Sequence, residues 1–306
     1  MRPKHKARRA ALAGILLAAT LTSGADRAAA AERIVSLGGS ITEILYALGR
    51  EGEIVAVDTT SQYPPAVTET HPDVGYLRAL SAEGVLSVGP TLILAEADAG
   101  PQEAVALLEQ ASIAFRRAPD EPSAEGLGDK ILFVARAVGD EAAGTGLRET
   151  VEADLETILG ATGAIEPRAR VLFVLSAAGG RIMASGANTA AASMIELAGA
   201  ENAVGGFEGY KQINDEAVLA AAPDVIVMMA GGPHMPANEE VLSLPALADT
   251  PAGRARRLVT MDGLYLLGFG PRTAHAVRDL AHAIYPDLGL PDLPERPWTA
   301  AGGNGG

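Results

Sequence analysis

The chain contains no cysteine. That excludes disulfides, thiolate metal sites and thiol catalysis. It also removes the residue that carries a bacterial lipid anchor, so a protein free of any lipid tether is expected. Aromatics make up 4% of the sequence, with one Trp and six Tyr, so each Tyr is worth examining. Histidine is equally sparse. Beyond the first 30 residues only His71, His234, His275 and His282 remain, and they are scattered. A multi-histidine zinc or manganese site is therefore not expected. There is no G-x-S-x-G elbow, no H-E-x-x-H and no P-loop lysine motif, and Gly38-Gly39 lacks the G-x-G-x-x-G spacing of a dinucleotide turn. These gaps argue against an enzyme. No apolar run reaches the ~18 residues of a transmembrane helix.

What is present begins with charge. The formal net charge is −14, and the first 30 residues, with six Lys/Arg against one Asp, make the remainder more acidic still. Nucleic acid and anionic membrane surfaces are thus unfavourable partners. The N-terminus has the pattern of a secretory signal peptide over residues 1–31. Arg2, Lys4, Lys6, Arg8 and Arg9 precede an apolar run from Ala10 to Leu21, and small residues from Ala28 to Ala31 follow. Export to the periplasm is the expectation.

A length of 306 residues with 48% hydrophobic content accommodates about two domains. A strand from Arg33 to Leu37 leads through Gly38-Gly39 into a helix near Ser40. Ser40 and Glu43 have capping-box spacing, and a second strand runs from Glu53 to Val57. This is a strand–helix–strand unit of an α/β layer. One segment then recurs. Leu80–Leu94 matches Ile213–Val227, with Glu83 and Glu216, Val85-Leu86 and Val218-Leu219, and Pro90 and Pro223 all at one offset of 133 residues. Each copy reads as a capped short helix, a proline stop and a buried strand. Gly39–Thr42 and Gly186–Thr189 form a second pair before a helix. Two related lobes follow, at 32–140 and 163–290. Between them, at 141–162, Leu147, Val151, Leu155 and Ile158 lie on one helical face. A helix joins lobes more stiffly than a Gly/Ser linker. The tail from Pro291 to Gly306 is rich in Pro, Gly and Ala and is read as disordered.

The segment from Asp73 to Gly84 holds Gly75-Tyr76 and Arg78 just before the first repeated helix. From spacing alone, Tyr76 either packs its ring on a strand end or points into a cleft. The stretch Val74-Gly-Tyr-Leu-Arg-Ala-Leu-Ser-Ala-Glu-Gly84 resembles the haem-binding proteins of bacterial haemin ABC importers. So do Arg33–Gly49 and Leu267–Ala274. The likeness spans residues 32–287. It implies the α/β class with two Rossmann-like lobes, one long linking helix and a ligand cleft between the lobes. Vitamin B12 and siderophore carriers share that architecture.

The resemblance implies that Tyr76 is an axial ligand of haem iron. A phenolate is a hard anionic donor suited to Fe(III). Arg78 and Arg272 would hydrogen-bond the phenolate or pair with a propionate, unless they serve as a surface charge and a structural residue. Tyr210 and Lys211 are read on a loop before the Glu216 helix, where they would meet the porphyrin or a propionate. His234 and Met235 follow a predicted strand at a lobe edge and are further pocket candidates. Glu83 and Glu216 match the paired glutamates that dock such carriers on the permease; as first-turn carboxylates they also suit the helix dipole. The expectation is a monomeric carrier of haem. A siderophore or cobalamin carrier of the same fold is the nearest alternative, followed by a periplasmic α/β enzyme and a sensor subunit.

Overall fold

The computed structural model describes residues 32–230 and 237–299. Expectations for residues 1–31, His234, Met235 and residues 300–306 fall outside the described residues.

The first lobe contains β1 (Ile34–Leu37), α1 (Gly39–Ala47), β2 (Ile54–Val57), α2 (Val67–Thr70), α3 (Ala82–Ser87), β3 (Leu92–Ala95), α4 (Gln102–Gln110), β4 (Ala114–Arg117) and α5 (Ala124–Ala137). Every residue of β1 and β3 is buried. Their continuous apolar composition is what a parallel sheet covered on both faces demands. The four strands run parallel in the order β2-β1-β3-β4.

Helix α6 (Glu141–Thr162) follows, with Leu147, Val151, Leu155 and Ile158 all buried. The second lobe contains β5 (Arg170–Ser176), β6 (Ile182–Ser185), α7 (Ala190–Leu197), β7 (Glu201–Asn202), β8 (Tyr210–Ile213), α8 (Asp215–Ala221), β9 (Val225–Ala230), α9 (Asn238–Leu242), α10 (Pro245–Ala248), α11 (Pro251–Arg254), β10 (Leu258–Asp262), α12 (Gly263–Leu267) and α13 (Thr273–Ile284). Its sheet has the order β10-β9-β5-β6-β8, with β7 also beside β5. β10, β9, β5 and β7 are parallel, and β6 is antiparallel to both β5 and β8.

The internal repeat has a structural counterpart at each step. Ser81 caps α3 by accepting from the Gly84 amide, and Asn214 caps α8 by accepting from Ala217. Both helices turn through the left-handed region before their proline, at Gly89 with φ 63° and at Ala222 with φ 42°. Both then enter a buried strand, β3 or β9.

Three sequence expectations are corrected. Ser40 and Glu43 do not form a capping box; α1 starts after Gly38 with no side-chain cap. Both side chains are claimed by distant partners, described below. Tyr210 and Lys211 are not on a loop. They open β8, which pairs with β6 through Ser185–Tyr210 and Ala184–Lys211. Finally, the tail is held in place over 291–299. Arg296 clasps the buried Asp154 of α6 with Nε at 2.9 Å and a terminal nitrogen at 2.7 Å. Trp298 Nε1 donates to Pro271 O at 3.2 Å, and Arg278 donates to Pro291 O and to Asp292. Irregular backbone satisfied by side chains is ordered without being helix or strand.

One apolar core crosses from Ile34 and Ile41 through Leu155 and Ile158 to Phe173, Val227 and Leu280. Side chains of both lobes and of α6 share this packed cluster, which ties the lobes together through close contact, while each lobe also has an apolar cluster of its own.

Candidate ligand-binding site

Open α/β sheets offer ligand positions beyond the carboxyl ends of their strands. In the first lobe the segment bearing Tyr76 is tied to the loops at those ends. Val74 N–H donates to Val57 O at 2.9 Å, and Thr59 N–H donates to Gly75 O at 3.1 Å. Leu80 N–H donates to Gly100 O at 2.8 Å, and Gly100 N–H returns to Leu77 O at 2.9 Å. Gly75 has φ +103°, a conformation that glycine adopts without strain, and its amide donates to Asp73 Oδ1 at 2.6 Å. Leu77 and Leu80 then point inward and are buried, while Tyr76 and Arg78 face outward. The phenol is 42% exposed, so its ring is not packed away against a strand end.

Arg78 donates from one terminal nitrogen to Tyr76 Oη at 2.7 Å. Its Nε donates to Asp98 Oδ2 at 2.8 Å, and its other terminal nitrogen binds the same oxygen. Partial burial works against the charged guanidinium, but Asp98 and Tyr76 outweigh it and hold Arg78 above its ordinary value. In the second lobe Tyr210 is 36% exposed and its ring centroid lies 6.3 Å from that of Phe173. Burial raises the Tyr210 phenol, opposed by hydrogen bonds from the Ala191 amide and Thr189 and by the charge of Arg78. Lys211 is exposed, with Nζ 5.5 Å from the Phe207 ring centroid.

A buried polar cluster forms after β1 and β3. Ser40 Oγ donates to Glu96 Oε1 at 2.7 Å and accepts from Lys130 Nζ at 3.0 Å. Lys130, 7% exposed, also donates to Gly268 O of the second lobe at 3.4 Å. Burial raises the Glu96 carboxyl despite the Lys130 charge and the Ser40 hydroxyl.

Arg272 pairs with Glu43. Its Nε donates to Glu43 Oε2 at 3.0 Å and a terminal nitrogen to Oε1 at 2.6 Å. Its guanidinium carbon sits 3.5 Å from the Tyr63 ring centroid and 5.0 Å from that of Tyr265. The side chains of Arg272 and Glu43 are only 11% and 4% exposed. This fork joins α1 of one lobe to the start of α13 in the other. Arg272 is thereby engaged in a buried ion pair, which agrees with the structural role weighed for it beside a propionate contact. Glu83 and Glu216 occupy the first turns of α3 and α8 and are exposed. Among the described residues, no group of three or more His, Asp or Glu could hold a bare metal ion.

Residues 34–264 match the family model described as periplasmic binding protein. The chain belongs to the periplasmic binding proteins. Among solved structures, the apo periplasmic heme-binding protein RhuT from Roseiflexus sp. RS-1 is 41% identical, with a TM-score of 0.81 over 85% of this chain and 100% of its own. The heme-binding protein BhuT, solved with two hemes, is 39% identical, with a TM-score of 0.79 over 84% of this chain and 99% of its own. Among curated relatives, the uncharacterized ABC transporter substrate-binding lipoprotein YvrC of Bacillus subtilis is 29% identical over 84% of this chain and 81% of its own. A cobalamin-binding protein of Halobacterium salinarum is 25% identical over 83% of this chain and 69% of its own. Among the described residues, no helix is long and apolar enough to cross a membrane.

Sequence reasoning missed Asp98, Glu96, Lys130 and the Glu43–Arg272 pair as parts of this region. Asp98 and Glu96 carried one usable signal: they directly follow a buried strand, where α/β ligand loops begin.

Proposed function

We propose that the cargo is haem, held between the lobes with Tyr76 as the iron ligand, and that the carrier hands it to the permease without chemical turnover. The observation that carries this reading is the half-exposed Tyr76 phenol whose oxygen already accepts from Arg78. A ferric centre binds a phenol in its anionic form, and the exposed oxygen is open to such a ligand. The likeness to RhuT and BhuT supports the same cargo. Apolar porphyrin surface removed from water contributes about 25 cal/mol per Å², and the single iron–oxygen bond fixes orientation. Tyr210 packs on the porphyrin from the second lobe, and Arg78 or Lys211 meets a propionate. Glu83 and Glu216 dock the carrier on the permease; exposed pairs of this kind set register more than affinity. The mature protein is a periplasmic monomer without a lipid tether, consistent with the lack of cysteine.

Cobalamin is the second reading, favoured by the Halobacterium salinarum relative. Parallel titrations of the mature chain with haemin and with cobalamin separate the two. Haemin binding with a ferric–tyrosinate absorbance spectrum is expected. Saturable cobalamin binding without haemin binding would overturn the proposal.

A further inference from the structure

Helix α6 buries Leu147, Val151, Leu155 and Ile158, and Asp154 lies buried beside them at 5% exposure. A carboxylate at that depth persists only when paired, and an apolar residue would serve stability there as well or better. Its cation comes from the C-terminal segment, where the Arg296 fork donates to both Asp154 oxygens. A forked charge pair of this kind is satisfied in one geometry, so it fixes where the segment lies.

The same segment is fixed at further points. Arg278 of α13 donates to Pro291 O at 3.0 Å and to Asp292 Oδ1 at 2.7 Å. Trp298 Nε1 donates to Pro271 O, beside the Arg272 that forks onto Glu43 of the first lobe. Pro297 and Trp298 also wall a cavity of about 130 Å³ together with Glu43, Tyr46, Tyr63 and Pro64 of the first lobe. A turn presents these two residues: Arg296 N–H donates to Thr299 Oγ1 at 2.8 Å, and Thr299 N–H returns to Arg296 O at 2.9 Å. One strap thus meets α13 of the second lobe, α6 between the lobes and a corner of the first lobe.

We propose that residues 291–299 are a clasp that sets the spacing of the two lobes. By fixing α6 against α13 and closing on the first lobe, the strap holds the cleft at one width before any cargo enters. Relative motion is the default for two joined domains, and a linking helix by itself still permits hinge motion at its ends. The clasp removes that freedom, so binding has less left to order. The inference does not depend on which cargo the cleft takes.

The lack of native cysteine makes the test direct, because spin labels attach only where a cysteine is introduced. Leu107→Cys on α4 and Leu219→Cys on α8 place labels at exposed positions of the two lobes. Pulsed electron paramagnetic resonance reads the distance between them in the ligand-free mature chain. The full chain should give one narrow distribution. Two altered chains are compared with it. One ends at Leu290. The other keeps its full length and carries Asp154→Leu, Arg296→Ala and Trp298→Ala, which leaves no buried charge unpaired on α6. Both should give a distribution at least about twofold wider. An unchanged width in both overturns the proposal. So does a lowered unfolding temperature with an unchanged width, which would make the segment a cover for apolar surface and nothing more. If the shortened chain does not fold, the full-length variant decides by the same criterion.

Discussion

Removing one partner of the Glu43–Arg272 bridge should be among the most damaging single changes outside the apolar core. Arg272→Ala leaves a carboxylate that is 4% exposed without its cation, in a site where burial already lifts its proton affinity against the pull of Arg272. Two charge-assisted hydrogen bonds are lost, each contributing about 1.5–3 kcal/mol. Breaking a buried ion pair costs about 3–5 kcal/mol, so the two routes to a magnitude agree. Urea unfolding measures it, and Trp298 is a local probe because its indole donates to Pro271 O, next to Arg272. Fluorescence and circular dichroism midpoints should coincide if the lobes unfold together. Replacing both partners, Glu43→Leu with Arg272→Met, should recover most of the loss, since well-packed apolar pairs commonly match buried ion pairs. A cost for Arg272→Ala below about 1 kcal/mol, the range of exposed pairs, would refute the reasoning. So would a double variant as unstable as the single one.

Other outcomes follow from the same structure. Ala222→Gly should stabilise the fold by about 0.5–1 kcal/mol, because φ is 42° there and a left-handed non-glycine residue is strained; a destabilised variant in thermal unfolding would contradict this. His275 is pushed below its ordinary value, first by burial, and against the Pro294 carbonyl and the Asp154 and Asp279 charges that raise it. A depressed histidine contributes stability above its unfolded value of about 6.5 that is lost as pH falls through the folded value. Wild-type stability should therefore decline on acidification below about pH 6.5, and His275→Gln should decline less steeply; equal slopes would remove His275 from the account. Glu83→Arg with Glu216→Arg should leave haemin affinity within about twofold while abolishing transport in permease-containing vesicles, since exposed charges of this kind govern docking register. Retained transport would end their docking role.

What the sequence made legible was local. The capped helices, the proline stops at Pro90 and Pro223 and the buried strands after them repeat because each is written within a few residues. Tyr76 stood out through the Gly-Tyr pair before the first repeated helix and the resemblance of its segment, while its outward direction became visible only in the fold. The misreadings were all long-range. The Ser40/Glu43 spacing looked like a cap, but Glu43 pairs with a residue 229 positions away, beyond any local pattern. Tyr210 read as loop because the strand it joins, β6, lies antiparallel and is recognisable only once the sheet has formed. The tail's composition resembles a disordered segment, yet Arg296 reaches an Asp 142 positions back and Trp298 reaches Pro271. Such partners are specified by the assembled fold.

The central claim is an iron–phenolate bond to Tyr76, and resonance Raman spectroscopy of the haemin complex tests it most directly. Vibrations of a coordinated tyrosinate should be present in the wild-type complex and missing in Tyr76→Phe. Tyrosinate modes that survive in Tyr76→Phe, or a wild-type spectrum without them, would contradict the account.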